Sequence, residues 1–220
     1  MKVRAKSSRL TAERRREQIL DSAVAVFGRK GFDGTTTRAL ARAAGVSEAM
    51  IFRFFPDKAA LYRAIIDRYI AASGDPFPHA AARARDDQAV LTGLAERLIG
   101  NMEQDPLFVR LLLFSALEEH ELSRLFLEAR ILKITRTLAR YLDMRTKEGA
   151  LRSAPPLPAA RIFLGMVCHY ALMNNLYDRT LPGRMPKEQA ARLCAAVFLD
   201  GLQSRARPLR AAELALRAEA

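Results

Sequence analysis

The side chains best suited to chemistry fall in one short stretch. Arg38, Arg42, Arg53 and Lys58 are cationic, Thr35, Thr36, Thr37 and Ser47 carry hydroxyls, and Glu48, Ala49, Met50 and Phe52 stand among them. Guanidinium and ammonium groups bind phosphate oxygens, and hydroxyls and backbone N–H groups at helix starts add to that grip. A carboxylate or an apolar side chain can read a base edge. This is chemistry for holding a polyanion rather than for making bonds. The chain has no phosphate-loop motif and no H-E-x-x-H, and His79, His120 and His169 are scattered. Cys168 and His169 are adjacent, so on a helix they point in different directions and make a poor ligand pair. No catalytic residue, no metal site and no cofactor is expected.

These residues need elements to hold them. From Thr37 to Phe54 the chain reads TRALARAAGVSEAMIFRF. Leu40 and Ala44 lie one helical turn apart, Ala41 is small where two helices would cross, and Gly45 supplies the positive φ of a tight turn. Val46 plugs the corner, Ser47 can cap a second helix, and Ile51 and Phe54 form its inner face. That is the inside of a helix-turn-helix, although an ordinary corner between core helices shares much of the pattern. Phe55 is followed by Pro56, which ends the second helix, and by Asp57, which can cap the next. Thr35 or Thr36 is the expected cap of the first helix, with its hydroxyl facing a phosphate.

The stretch TTTRALARAAGVSEAMIFRFFPDKAALYRAII resembles the DNA-binding domain of the TetR family of bacterial transcriptional regulators. The likeness rests on Ala44-Gly45-Val46-Ser47 at the turn, on Phe52-Arg53-Phe54-Phe55 at the end of the recognition helix, and on Lys58 opening the next. Upstream, Ala23, Phe27, Gly31 and Phe32 also fit, so the resemblance spans roughly Arg14 to Ile70. It departs at Phe52, where the family usually has tyrosine, and at Ala49-Met50, which give an apolar tip. The resemblance implies DNA contacts from Thr35, Thr36, Thr37, Arg38, Ser47, Glu48, Ala49, Met50, Phe52, Arg53 and Lys58.

Charge agrees with a polyanionic partner. The 220 residues carry 36 Lys/Arg and 24 Asp/Glu, a net of +12. Residues 1–70 hold 15 Lys/Arg against 7 Asp/Glu, and residues 71–220 hold 21 against 17, so most of the excess goes with the helix-turn-helix. Cys168 and Cys194, both in apolar helical patterns, indicate reduced usage without a disulfide framework. The basic start MKVRAKSSRL has no apolar run behind it and does not read as a signal peptide. The longest uncharged run, Ile162 to Tyr177, reads as too short and polar for a membrane span. A cytoplasmic protein that makes no membrane contact is expected.

The rest of the chain reads as all-α. Residues 1–10 form a basic arm, 11–57 the helix-turn-helix domain, 58–73 a connector helix, 74–206 a helical ligand-binding and dimerisation domain, and 207–220 a tail. The break at residues 73–78 is rich in turn formers. A long helix is expected over about 121–147, with Leu122, Leu125, Ala129, Leu132 and Leu142 inward and Arg124, Arg130, Lys133, Arg136 and Arg140 on a basic side. A helix over about 159–178 is apolar nearly all round, and one over 187–205 carries a stripe of Ala190, Leu193, Cys194, Val197, Phe198 and Gly201. Two such helices per chain suit a twofold four-helix bundle between two copies, through Ile162, Gly165, Leu172, Leu193, Val197, Phe198 and Gly201; a well-filled core is the alternative.

The expected function is that of a homodimeric repressor on a palindromic operator in double-stranded DNA. The resemblance further implies release by a small-molecule effector, here a largely apolar one. Its pocket would draw on Met102, Phe108, Leu112, Phe126, Met166, His169, Tyr170 and Met173, with Asn174 as polar anchor, although Met and aromatic residues at helical spacing also make plain core. The rival is a helical interaction module or ligand carrier whose helix-turn-helix does not bind DNA.

Overall fold

The computed structural model describes residues 11–177 and 182–202, so the expected arm at 1–10 and tail at 207–220 lie outside the described residues. Eleven α-helices form among them: α1 (Ala12–Lys30), α2 (Thr37–Ala44), α3 (Glu48–Phe54), α4 (Lys58–Ser73), α5 (His79–Arg83), α6 (Asp87–Gln104), α7 (Pro106–Leu117), α8 (Glu121–Phe126), α9 (Leu132–Lys147), α10 (Pro156–Tyr177) and α11 (Lys187–Leu202). The all-α expectation holds. The described backbone divides into two compact units, one of residues 11–76, 100–133 and 171–177 and the other of 77–99, 134–170 and 182–202. This cut differs from the division read in the sequence, because α7 and α8 belong with the first four helices.

In the first unit α2 and α3 have eight and seven residues, too short to persist alone. Each is capped by a side chain. Thr36 accepts from the Ala39 N–H and Ser47 from the Met50 N–H, as Thr11 does for α1 and Asp57 for α4. Their inner faces enter one core, where Ile19, Leu20, Phe27, Leu40, Ile51, Leu61 and Ile65 meet Phe108 and Leu111 of α7 and Phe126 of α8. The most extensive helix pair is α1 on α7. It is close because Gly28 has no side chain: a Cβ there would lie 2.6 Å from the Leu107 carbonyl oxygen. Gly28 is thus a buried contact inside α1. The Tyr62 hydroxyl donates to the Leu111 carbonyl at 3.1 Å, and Tyr69 stacks on Phe108 with ring centres 3.6 Å apart.

The helix expected over 121–147 is interrupted. Leu127–Ile131 forms a π-turn, in which each hydrogen-bonded ring takes in one more residue and the helical phase shifts. Ala129, read as inward, is exposed, while beyond the turn Ile134, Leu138 and Leu142 are buried. Arg130 of this turn reaches the end of α4, donating to the carbonyls of Ser73 (3.4 Å) and Gly74. A cation there satisfies carbonyls that a helix end leaves open.

The second unit is tied by a charged cluster. Arg145 grips Asp87 with two hydrogen bonds, at 2.8 and 3.1 Å, and Glu148 at 2.5 Å, and the Tyr141 hydroxyl adds a bond to Asp87 at 2.5 Å. Hydrogen bonding to Asp87 is the chief reason the Arg145 pKa is raised. Here α10 and α11 pack through Phe163 and Phe198, with ring centres 5.1 Å apart. The buried face of α11 is Ala190, Ala191, Ala195, Phe198, Leu199 and Leu202. The stripe read in the sequence is therefore split: Phe198, assigned to a dimer face, is buried within the unit, while Leu193, Val197 and Gly201 point out. With 22 residues, α10 is long and apolar enough to cross a membrane, contrary to the reading of Ile162–Tyr177 as too short, but it carries Arg161, His169, Asn174 and Asn175 and lies against α11. Both thiols are free, and burial pushes the pKa of Cys168 up to about 11, which leaves it inert near neutral pH.

Candidate nucleic-acid interface

The turn between α2 and α3 is set by Gly45, which adopts φ 64° and ψ 34°. Its N–H bonds to the Arg42 carbonyl at 3.2 Å and the Val46 N–H to that of Ala41 at 3.0 Å, the paired bonds of a Schellman ending. A Cβ at Gly45 would touch nothing, so the backbone angle alone calls for glycine. Gln18 of α1 donates to the Ala44 carbonyl at 3.0 Å and fixes α2 from behind. Ile51 is fully buried, which orients α3. Glu48, Ala49, Phe52 and Arg53 are then exposed on the opposite side, with Met50 half-buried at the edge. Arg38 and Arg42 are exposed on α2, Ser47 is exposed at its cap position and Thr37 is half-buried. Phe52, at 47% exposure, is a large apolar surface turned toward solvent.

Two of the expected contacts are placed otherwise. Thr35 is buried and its hydroxyl donates to the Gly31 carbonyl at 2.7 Å, so it stabilises the α1–α2 bend and does not face a phosphate; Thr36 is the cap. The Lys58 ammonium donates to the carbonyls of Phe32 (2.7 Å) and Thr35 (3.0 Å) and lies 4.0 Å from the centre of the Phe32 ring. Two of its three N–H groups are therefore spent inside the protein, and its first role is to hold the bend onto the start of α4.

Sequence reasoning missed the groups that fasten this bend to α7. The Glu118 carboxylate accepts the Phe32 N–H at 2.9 Å, and it sits where a Cβ on Gly31 would fall, 2.1 Å from one carboxylate oxygen. Arg110 donates to the Gly28 carbonyl at 3.1 Å, and His120 packs on Phe32 with ring centres 4.1 Å apart. No motif marks these residues; glycine at position 31 was the one trace of them.

The expected effector residues are divided between the two units. Met102, Phe108, Leu112, Phe126, Met173 and Asn174 belong to the first unit, and Met166, His169 and Tyr170 to the second. Phe108 and Phe126 are packed by Tyr69 as core, His169 is exposed, and the Tyr170 hydroxyl is bonded to the backbone of Met185. Asn174 stands apart. It is 4% exposed, and neither its amide oxygen nor its amide nitrogen has a hydrogen-bond partner among the described residues. Next to it, Asn175 donates to the Met102 carbonyl at 3.0 Å. No group of His, Cys, Asp and Glu fit to hold a metal ion occurs among the described residues.

Residues 19–65 match the profile of bacterial regulatory proteins of the tetR family, and residues 89–201, half the chain, match the C-terminal domain of AefR-like transcriptional repressors. The HTH-type transcriptional repressor Rv1474c of Mycobacterium tuberculosis is 30% identical over 179 residues, spanning 80% of this chain and 88% of its own. YvkB of Bacillus subtilis, an uncharacterized HTH-type transcriptional regulator, is 24% identical over 203 residues, spanning 86% and 97%. The solved structure of AibR in complex with isovaleryl coenzyme A and operator DNA has a similar fold, with a TM-score of 0.64 at 21% identity, over 84% of this chain and 98% of its own.

Proposed function

The chain belongs to the TetR family of bacterial transcriptional regulators, and from that premise we propose that it is a cytoplasmic homodimeric repressor, held on a palindromic operator and released by a small, largely apolar ligand. The observation that carries the DNA half is the outward set on α2 and α3, with Arg38, Arg42 and Arg53 exposed around an apolar reading surface that a buried Ile51 keeps in place. Dimer symmetry would set two copies of α3 in successive major grooves. Support for the dimer comes from Ile162, Leu193 and Val197, each more than half exposed on α10 and α11. The repressor role follows Rv1474c, and operator binding together with an organic ligand follows AibR.

The ligand half rests on Asn174. A buried amide without partners costs about 1–3 kcal/mol, a cost that a ligand's own donor and acceptor would remove. Asn174→Leu should therefore raise the melting temperature of the ligand-free protein by roughly 3–10 °C in calorimetry. A fall instead would mean that the amide stabilises the resting fold and anchors no ligand.

The test of the whole reading is selection from a random duplex pool by the purified protein at low salt, followed by a salt titration on the enriched sequence. A palindrome should emerge, and with about six phosphate contacts its affinity should fall on the order of a thousandfold between 50 and 200 mM salt. A folded, ligand-free dimer that enriches nothing would refute it.

A further inference from the structure

We propose that this protein reads its operator chiefly through thymine methyl groups, with Ala49, Met50 and Phe52 as the specificity-determining residues. The inference rests on the DNA-binding reading and adds what that surface selects. Of the five side chains on or at the edge of the outward face of α3, three are apolar, and the other two stand near its ends: Glu48, which only accepts, and Arg53, which only donates. Ala49 and Phe52 are exposed three residues apart, on one side of the helix, with Met50 at the edge.

In the major groove thymine alone presents an apolar group, its C5 methyl, while the other bases present donors or acceptors at that edge. An apolar side chain pressed on those groups strips their water and returns no hydrogen bond, whereas on a thymine methyl it buries apolar surface at no polar cost. Phe52 gives this selection its reach, since a side chain of its size at 47% exposure has a wide face to bury. The contact is neutral, so it adds sequence choice without adding salt dependence.

The experiment uses the full chain and the duplex enriched from the random pool. Each thymine of one half-site is replaced in turn by deoxyuridine, which removes the methyl and keeps the pairing. At one or more positions affinity should fall about fourfold, the worth of one buried methyl, with an unchanged slope against salt. Phe52→Ala, whose side chain is exposed and whose fold is checked by circular dichroism, should bind more weakly and lose the difference between thymine and uracil at the position it covers. Equal binding of every uracil duplex by the unmodified protein overturns the methyl inference and leaves DNA binding standing. A difference that survives in Phe52→Ala and also in Met50→Ser and Ala49→Gly overturns the assignment of these residues. Failure to enrich any duplex overturns both readings.

Discussion

Val197→Asp should leave the chain folded and separate the proposed dimer. Val197 lies midway along α11 and is 54% exposed, with Leu193 one turn before it at 52%. The opposite side of the helix, from Ala190 to Leu202, is what holds α11 in its own unit, and Phe198 packs there on Phe163. A charge at 197 therefore meets water in the single chain, where surface changes alter stability by no more than about 0.5 kcal/mol. In a twofold interface the same carboxylate enters an apolar surface in both copies. Burying an unpaired charge costs about 3–5 kcal/mol in each copy, so the dimer should weaken by at least about a thousandfold. Operator affinity should fall with it, because one chain grips one half-site. Sedimentation velocity gives the first quantity and a binding titration on the palindrome the second. A variant that remains dimeric at micromolar concentration would place the interface elsewhere.

Gly28→Ala should lower the melting temperature markedly. The sign is informative, because alanine ordinarily stabilises a helix interior by about 0.5–1 kcal/mol over glycine. Here the added methyl would lie 2.6 Å from the Leu107 carbonyl oxygen and 3.3 Å from its carbon, both backbone atoms that cannot rotate away. Relief requires α1 and α7 to separate across the most extensive contact in the unit, which also loosens the Arg110 bond to the Gly28 carbonyl. Overpacking of this kind costs about 1–3 kcal/mol, or a drop of roughly 3–10 °C for a chain of this size. An unchanged or higher melting temperature would show that the two helices are not in such close contact.

The helix-turn-helix was legible because its constraints are local. A small residue at 41, glycine at 45, a capping hydroxyl at 47 and apolar residues at 40, 44, 51 and 54 each answer to a neighbour within a few residues, and each takes its expected place. What failed depended on distant groups. Lys58 and Thr35 read as phosphate contacts because a free cation and a free hydroxyl look the same in sequence as ones engaged by carbonyls of Gly31, Phe32 and Thr35. Phe198 was misplaced for another reason. A helix with apolar residues on two sides satisfies helical periodicity on both, so spacing does not say which side turns inward. The π-turn was invisible because each of its residues is compatible with an ordinary α-helix, and it displaced Ala129 from the face assigned to it.

The junction of α1 with α7 also bears on how the protein is made. The helix-turn-helix is complete at Phe54, yet the core beneath it includes Phe108, Leu111 and Phe126. Roughly 60 further residues must leave the ribosome before α7 is whole, about 3–12 s at ordinary rates of synthesis. During that interval Ile19, Leu20 and Phe27 have only part of their cover, and the nascent head offers an apolar face to chaperones and proteases. The part that meets DNA is synthesised before the helices that complete its core, and a fragment cut after α4 would lack the wall against which its first helix closes.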